Sequence, residues 1–127
     1  MIIELDMNSD IPLYVQLRNQ IVTGIGRGEL KANEKLPTVR QLALDAGINT
    51  MTVNKTYQIL KAEGYIRTDR RQGAFVAEKL NAGDRFQEKL ESDLELLSAE
   101  ASISGMDEEE FLKMCADVYG RMNPCAI

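Results

Sequence analysis

The sequence contains no histidine, and its only two cysteines, Cys115 and Cys125, lie near the C-terminus. Without histidine, the chain lacks the commonest acid–base group at neutral pH and the commonest metal ligand. The cysteine spacing fits no metal site and no disulfide framework, and reduced structural thiols in a cytoplasmic protein are the expectation. No apolar run approaches the roughly 18 residues of a membrane span. The N-terminal MIIELDMNSD carries acids where a secretory leader carries bases, so no targeting segment is expected. A glycine-rich phosphate loop is missing too, because Gly24-Ile25-Gly26-Arg27-Gly28 closes a helical pattern and does not join a strand to a helix. Glu108-Glu109-Glu110 point in different directions on a helix and suit its positive first turn better than a metal. These absences exclude an enzyme: the residues offer no catalytic constellation, no metal site and no cofactor site.

One absence is local. The chain has 20 acidic residues and a net charge of −5, yet Ala46 through Ala62 contains no Asp or Glu. The charge is unevenly placed. Residues 1–79 hold eleven Lys/Arg and nine Asp/Glu, a balance of +2, and residues 80–127 hold four and eleven, a balance of −7. Only the first part can lie against phosphates. With 127 residues, 44% of them hydrophobic, the chain suits one compact domain with a small appendage.

Ile2 to Leu5 reads as a short strand or an extended arm. Pro12 suits the first turn of a helix whose apolar stripe is Leu13, Leu17 and Ile21, with Tyr14, Val22 and Ile25 alongside. Gly24, Gly26 and Gly28 thin and end it. Thr38 as N-cap with Gln41 three residues on makes a capping box for a short helix. Gly47 ends that helix in the place of a left-handed cap. Asn49 then caps a second helix, from about Thr50 to Glu63, with Val53, Tyr57 and Leu60 on its inner stripe. Tyr65–Thr68 and Ala74–Val76 read as a hairpin. Two short helices about a glycine turn, followed by this hairpin, predict a winged helix-turn-helix.

Residues 81–101 carry a further stripe, Phe86, Leu90, Leu94, Leu97 and Ala101. Ser104-Gly105 breaks it. Asp107 caps a last helix, with Glu110 completing the box and Met106 placed to staple onto Phe111. That helix carries Phe111, Leu112, Cys115, Val118 and Tyr119, and Gly120 and Pro124 close it. The predicted fold class is mainly α: a winged helix-turn-helix over 1–79 with a small β-hairpin wing, then a two-helix C-terminal dimerisation tail over 80–127.

The outer side of the Thr50–Glu63 helix bears Thr50, Thr52, Asn54, Lys55, Gln58 and Lys61. Asn and Gln can pair with adenine edges, Lys with guanine or phosphate, and a Thr methyl with thymine. An ordinary polar helix face would look the same in isolation. Arg70-Arg71 at the hairpin apex and Arg40 in the short helix add cations on what can be one surface, and the capped helix start adds free amide donors.

These parts, in this order and spacing, resemble the GntR family of bacterial transcription regulators. The resemblance covers about Ile11 to Val76 and is carried by PLYVQLRNQI, LPTVRQLA, GINTMTVNKTYQILKAEGYI and RRQGAFV. Ile48-Asn49, Thr52-Val53, Tyr57 and the short tail resemble its YtrA-like branch. The resemblance implies that Arg40, Asn49, Thr50, Thr52, Asn54 and Lys55 touch DNA, with Arg70 and Arg71 at the wing tip. Thr38, at the capped helix start, joins this DNA-binding set. Two positions depart from the family pattern. Asn54 stands where many members have arginine, and Arg71 stands where the wing motif Gly-x-Gly-Thr-Phe-Val has its first glycine.

A two-helix tail buries its own apolar stripe poorly and needs a partner surface. A second copy of the chain is the simplest partner, because a two-fold dimer matches a pseudo-palindromic operator. The expected dimerisation residues are Phe86, Leu90, Leu94, Leu97, Phe111, Leu112, Cys115 and Val118. The sequence therefore reads as a cytoplasmic, sequence-specific DNA-binding repressor acting as a homodimer on double-stranded operator DNA, with no membrane partner. A small-molecule effector, if there is one, has room only between tail and winged helix or at the dimer interface. The alternative is a winged-helix module that binds a protein instead of DNA.

Overall fold

The computed structural model of the chain describes residues 3–78 and 83–124. Ile2 and Cys125 lie outside the described residues. The chain divides into two compact units, Met1–Leu80 with Asn123–Ile127, and Asn81–Met122.

The first unit opens on an extended arm. Two glutamines one turn apart on the following helix pin it: the Glu4 amide donates to Gln20 Oε1 at 2.9 Å, and the Asp6 amide to Gln16 Oε1 at 2.8 Å. The Gln20 and Gln16 amide groups donate back to the carbonyls of Glu4 and Asp6. A side-chain amide thus substitutes for a neighbouring strand, and Ile3 and Leu5 pack against the core.

Helix α1 runs Leu13–Arg27 and buries Leu17, Ile21 and Ile25. Pro12 stands at the N-cap, one residue earlier than the sequence places it. Its ψ of 145° is extended, and its carbonyl accepts from the amides of Val15 and Gln16. Helix α2, Val39–Ala46, and helix α3, Thr50–Ala62, follow. Leu42 and Ala43 of α2 meet Val53, Tyr57 and Leu60 of α3 in a single core with α1. The fully enclosed aliphatic side chains, Leu17, Ile21, Leu42, Val53, Leu60 and Val76, each contribute about 1.5–3 kcal/mol by leaving water. Thr56 is buried among them. Its hydroxyl lies 3.0 Å from the Thr52 carbonyl and 3.3 Å from that of Tyr14, so its polar atom is satisfied in the core.

The wing consists of β1, Ile66–Asp69, and β2, Gly73–Val76, antiparallel with Ile66 opposite Val76 and Asp69 opposite Gly73. The apex is therefore Arg70-Arg71-Gln72. The far edge of β2 is also paired. The amides of Asn33 and Leu36 donate to the Val76 and Ala74 carbonyls, and the Val76 amide donates to the Glu34 carbonyl. Lys35 bridges Phe75 in this second, short ladder. The polar segment between α1 and α2 thus braces the wing.

The second unit is a helical hairpin of α4, Gly83–Ile103, and α5, Glu108–Tyr119. The Met106 amide reaches back to the Ala101 carbonyl across Gly105, whose φ of +88° is left-handed. Asp107 caps α5 by accepting the Glu110 amide at 2.8 Å. No residue of α5 is buried within the unit.

Candidate nucleic-acid interface

The turn between α2 and α3 follows from three residues. Gly47 takes φ +69°, a conformation that other residues rarely adopt. The Ile48 amide then returns to the Ala43 carbonyl at 3.0 Å. Asn49 Oδ1 accepts the Met51 amide at 2.7 Å and starts α3. Asn49 thus spends its side-chain oxygen on capping, and only its amide nitrogen is left to donate outward.

Upstream, Thr38 Oγ1 accepts the Gln41 amide at 3.1 Å. The reciprocal half of the expected capping box does not form. Gln41 instead donates to Asp45 Oδ1 at 2.7 Å, one turn on. The helix start still directs first-turn amides outward. Arg40, beside it, is exposed and makes no ion pair among the described residues.

The outer side of α3 faces the wing across a cleft of about 760 Å³ lined by Thr38, Asn54, Gln58, Lys61, Arg70 and Arg71, among others. Lys35 adds a fourth cation to its walls. The sequence reading did not single out Lys35, because the bracing segment brings it there from outside the motif. The one acid in the cleft is Asp69, and its carboxylate accepts the amides of Arg71 and Gln72 at 2.8 and 3.3 Å. The two acids that flank the acid-free stretch are also engaged. Asp45 holds Gln41, and Glu63 takes both Arg18 Nε and Nη2 at 3.0 Å. Hydrogen bonding to Glu63 holds the Arg18 guanidinium above its ordinary pKa. The cationic surface is thus formed of Arg40, Arg70, Arg71 and Lys61, which make no ion pair among the described residues, while its bordering carboxylates are occupied.

The other candidate residues divide. Thr50 and Asn54 are exposed on α3, and Thr52 is half-buried at its flank. Lys55 is exposed and does not line the cleft, and its ammonium sits 3.9 Å from the Tyr14 ring centroid. Arg67, a wing cation, lies on the Phe75 ring and is thereby tied to the body of the wing. One residue of this face escaped the sequence reading. Met51 is 76% exposed on the first turn of α3. Its signal was an apolar residue away from the inner stripe.

Tyr57 ties α3 to the segment leading into α2, because its hydroxyl donates to the Pro37 carbonyl at 2.7 Å. Burial pushes the phenol well above its ordinary value of 10.0. Above pH 10 the unfolded chain therefore loses this proton before the folded one does, and stability falls as pH rises from there toward the raised native value. Tyr57→Phe should cost about 1 kcal/mol at neutral pH and flatten the alkaline decline, as read from urea midpoints between pH 8 and 11.

Of the eight residues expected to dimerise, Leu94, Leu97, Phe111, Cys115 and Val118 line one apolar groove of about 650 Å³ in the second unit. Phe86, Leu90 and Leu112 lie outside it, and all three are exposed.

Two capped helices about a glycine turn, a braced wing and a cationic cleft between them define a winged helix-turn-helix protein. A profile of the bacterial regulatory proteins of the gntR family matches residues 13–76. The chain belongs to the GntR family and is a helix-turn-helix transcriptional regulator. Its relatives include the uncharacterized HTH-type transcriptional regulator YhcF of Bacillus subtilis, 35% identical over 83% of this chain and 88% of that protein. Another is the HTH-type transcriptional repressor YtrA of the same organism, 33% identical over 93% and 95%. These relatives are named as regulators, not enzymes.

Among solved structures, a transcriptional antiterminator from Listeria monocytogenes superposes with a TM-score of 0.85 at 26% identity, covering 100% of this chain and 97% of that one. YtrA from Sulfolobus acidocaldarius, a GntR-family transcription factor, gives 0.63 at 35% identity over 74% and 98%. The DNA-binding domain of AraR, solved in complex with operator ORX1, gives 0.53 at 26% identity over 58% and 92%. Among the described residues, no helix is long and apolar enough to cross a membrane.

Proposed function

We propose that the chain is a repressor that binds a pseudo-palindromic operator as a homodimer. In this reading 1–79 is the DNA-binding domain and 80–127 the dimerisation tail. Each α3 enters a major groove, with half-sites about one turn (~34 Å) apart or a multiple of it. Thr50, Thr52 and Asn54 meet base edges. Thr38, Arg40, Asn49 and Lys55 hold the flanking backbone, and Arg70 and Arg71 reach phosphate or the minor groove. Such a regulator works in the cytoplasm, where its operator is. Repression then follows from occupancy of the operator.

The observation that carries this is electrostatic. In a chain of net charge −5, α3 and the wing face each other with four cations and one hydrogen-bonded acid between them. The operator complex solved for AraR supports the DNA partner, and the name of the B. subtilis YtrA supports repression. The tail supports a dimer through its uncovered apolar residues, such as Leu90 at 44% and Leu97 at 54% exposure.

The direct test is the affinity of the full chain for DNA from upstream of its own gene as salt rises from 50 to 200 mM. Contact with 6–10 phosphates weakens binding by about 10³–10⁵ over that range. Binding that is absent at low salt, or that is indifferent to salt, contradicts the proposal and favours a protein partner for the same face.

A further inference from the structure

We propose that Met51 is a specificity-determining residue that packs against the C5 methyl group of a thymine in each half-site. The proposal rests on the DNA reading above. The inner side of α3 is complete without Met51, since Val53, Thr56, Tyr57 and Leu60 are its buried residues. Met51 stands on the opposite side, on the first turn, with Asn54, Lys55 and Gln58 at the i+3, i+4 and i+7 positions that share its face. Those neighbours are polar or cationic, and Met51 is the large apolar side chain exposed among them. Leu44, also exposed, belongs to α2, the helix that crosses the DNA backbone in this docking mode.

The chemistry of the major groove narrows the partner. A helix that reads this groove presents its N-terminal residues to base edges. A thioether offers van der Waals surface and almost no hydrogen bonding. Beside guanine O6 and N7, or the amino groups of adenine and cytosine, it would displace water from polar atoms and return nothing. The apolar feature on a base edge in this groove is the thymine methyl. An unbranched, exposed side chain with three rotatable bonds can follow that methyl without moving the helix.

The test uses the full chain. An operator is first recovered by selection from random duplexes with the wild-type protein. Each thymine is then replaced, symmetrically in both half-sites, by deoxyuridine, which removes only the methyl group. Affinities are measured for wild type, Met51→Ala and Met51→Leu, and thermal melting checks that the variants fold alike. One position should cost the wild type about fourfold per half-site, the value of one buried methyl-sized group. Met51→Ala should lose that penalty and Met51→Leu should keep it. If the wild type tolerates deoxyuridine everywhere, or the penalty survives in a folded Met51→Ala (as it would if a Thr50 or Thr52 methyl met the thymine), the role of Met51 is overturned and DNA recognition stands. If selection recovers no sequence at all, DNA recognition and the role of Met51 fall together.

Discussion

Replacing Leu94 and Leu97 with glutamate should make the protein a monomer and lower its affinity for a two-half-site operator by about a hundredfold or more. Both side chains line the apolar groove of the α4–α5 hairpin, at 39% and 54% exposure. A monomeric hairpin leaves this surface in water. Two new charges per chain would oppose its burial against a partner and add to the −7 that residues 80–127 already carry. The winged helix has its own core, so its melting should be unchanged. Affinity for a single half-site should also be unchanged, because the loss is one of linkage between two sites. Sedimentation gives the mass, and titration of single and paired half-sites gives the two affinities. A variant that remains dimeric would remove these residues from the interface.

The second large effect is expected at the wing. Arg70→Ala with Arg71→Ala should weaken operator binding by on the order of tenfold per half-site, and should lower the salt slope by about one for each phosphate no longer neutralised. Both arginines are exposed at the apex and line the cleft opposite α3. Folding should be little affected, because the Asp69 carboxylate holds the turn through the backbone amides of residues 71 and 72. Fluorescence anisotropy at several salt concentrations separates the two quantities. An unchanged slope would mean that the wing stands clear of the duplex.

Most of the helix-turn-helix architecture is legible in the sequence because local chemistry specifies it. Asn49 and Thr38 cap their helices through their own side chains, and Gly47 takes the left-handed conformation that its position predicts. The features that escape a sequence reading depend on residues far apart in the chain or on a choice between local partners. The second ladder of the wing joins residues 33–36 to β2, and nothing in so polar a segment announces that pairing. Thr56 looks like a surface residue until the Thr52 and Tyr14 carbonyls are brought to its hydroxyl. Gln41 has two local uses, the capping box and Asp45, and the second prevails. Arg67 could serve the wing tip, but the ring of Phe75 across the hairpin holds it back. Met51 is passed over when the face is searched for polar groups alone.

The central claim is that α3 and the wing read DNA as a two-fold pair. Selection of the full-length protein on random duplex DNA, followed by footprinting of the recovered sequence, tests it most directly. The expected product is an inverted repeat whose half-sites lie about one helical turn (~34 Å) apart, or a multiple of it, each protected in the major groove. Recovery of no preferred sequence, or of one asymmetric half-site bound by a single chain, would contradict it.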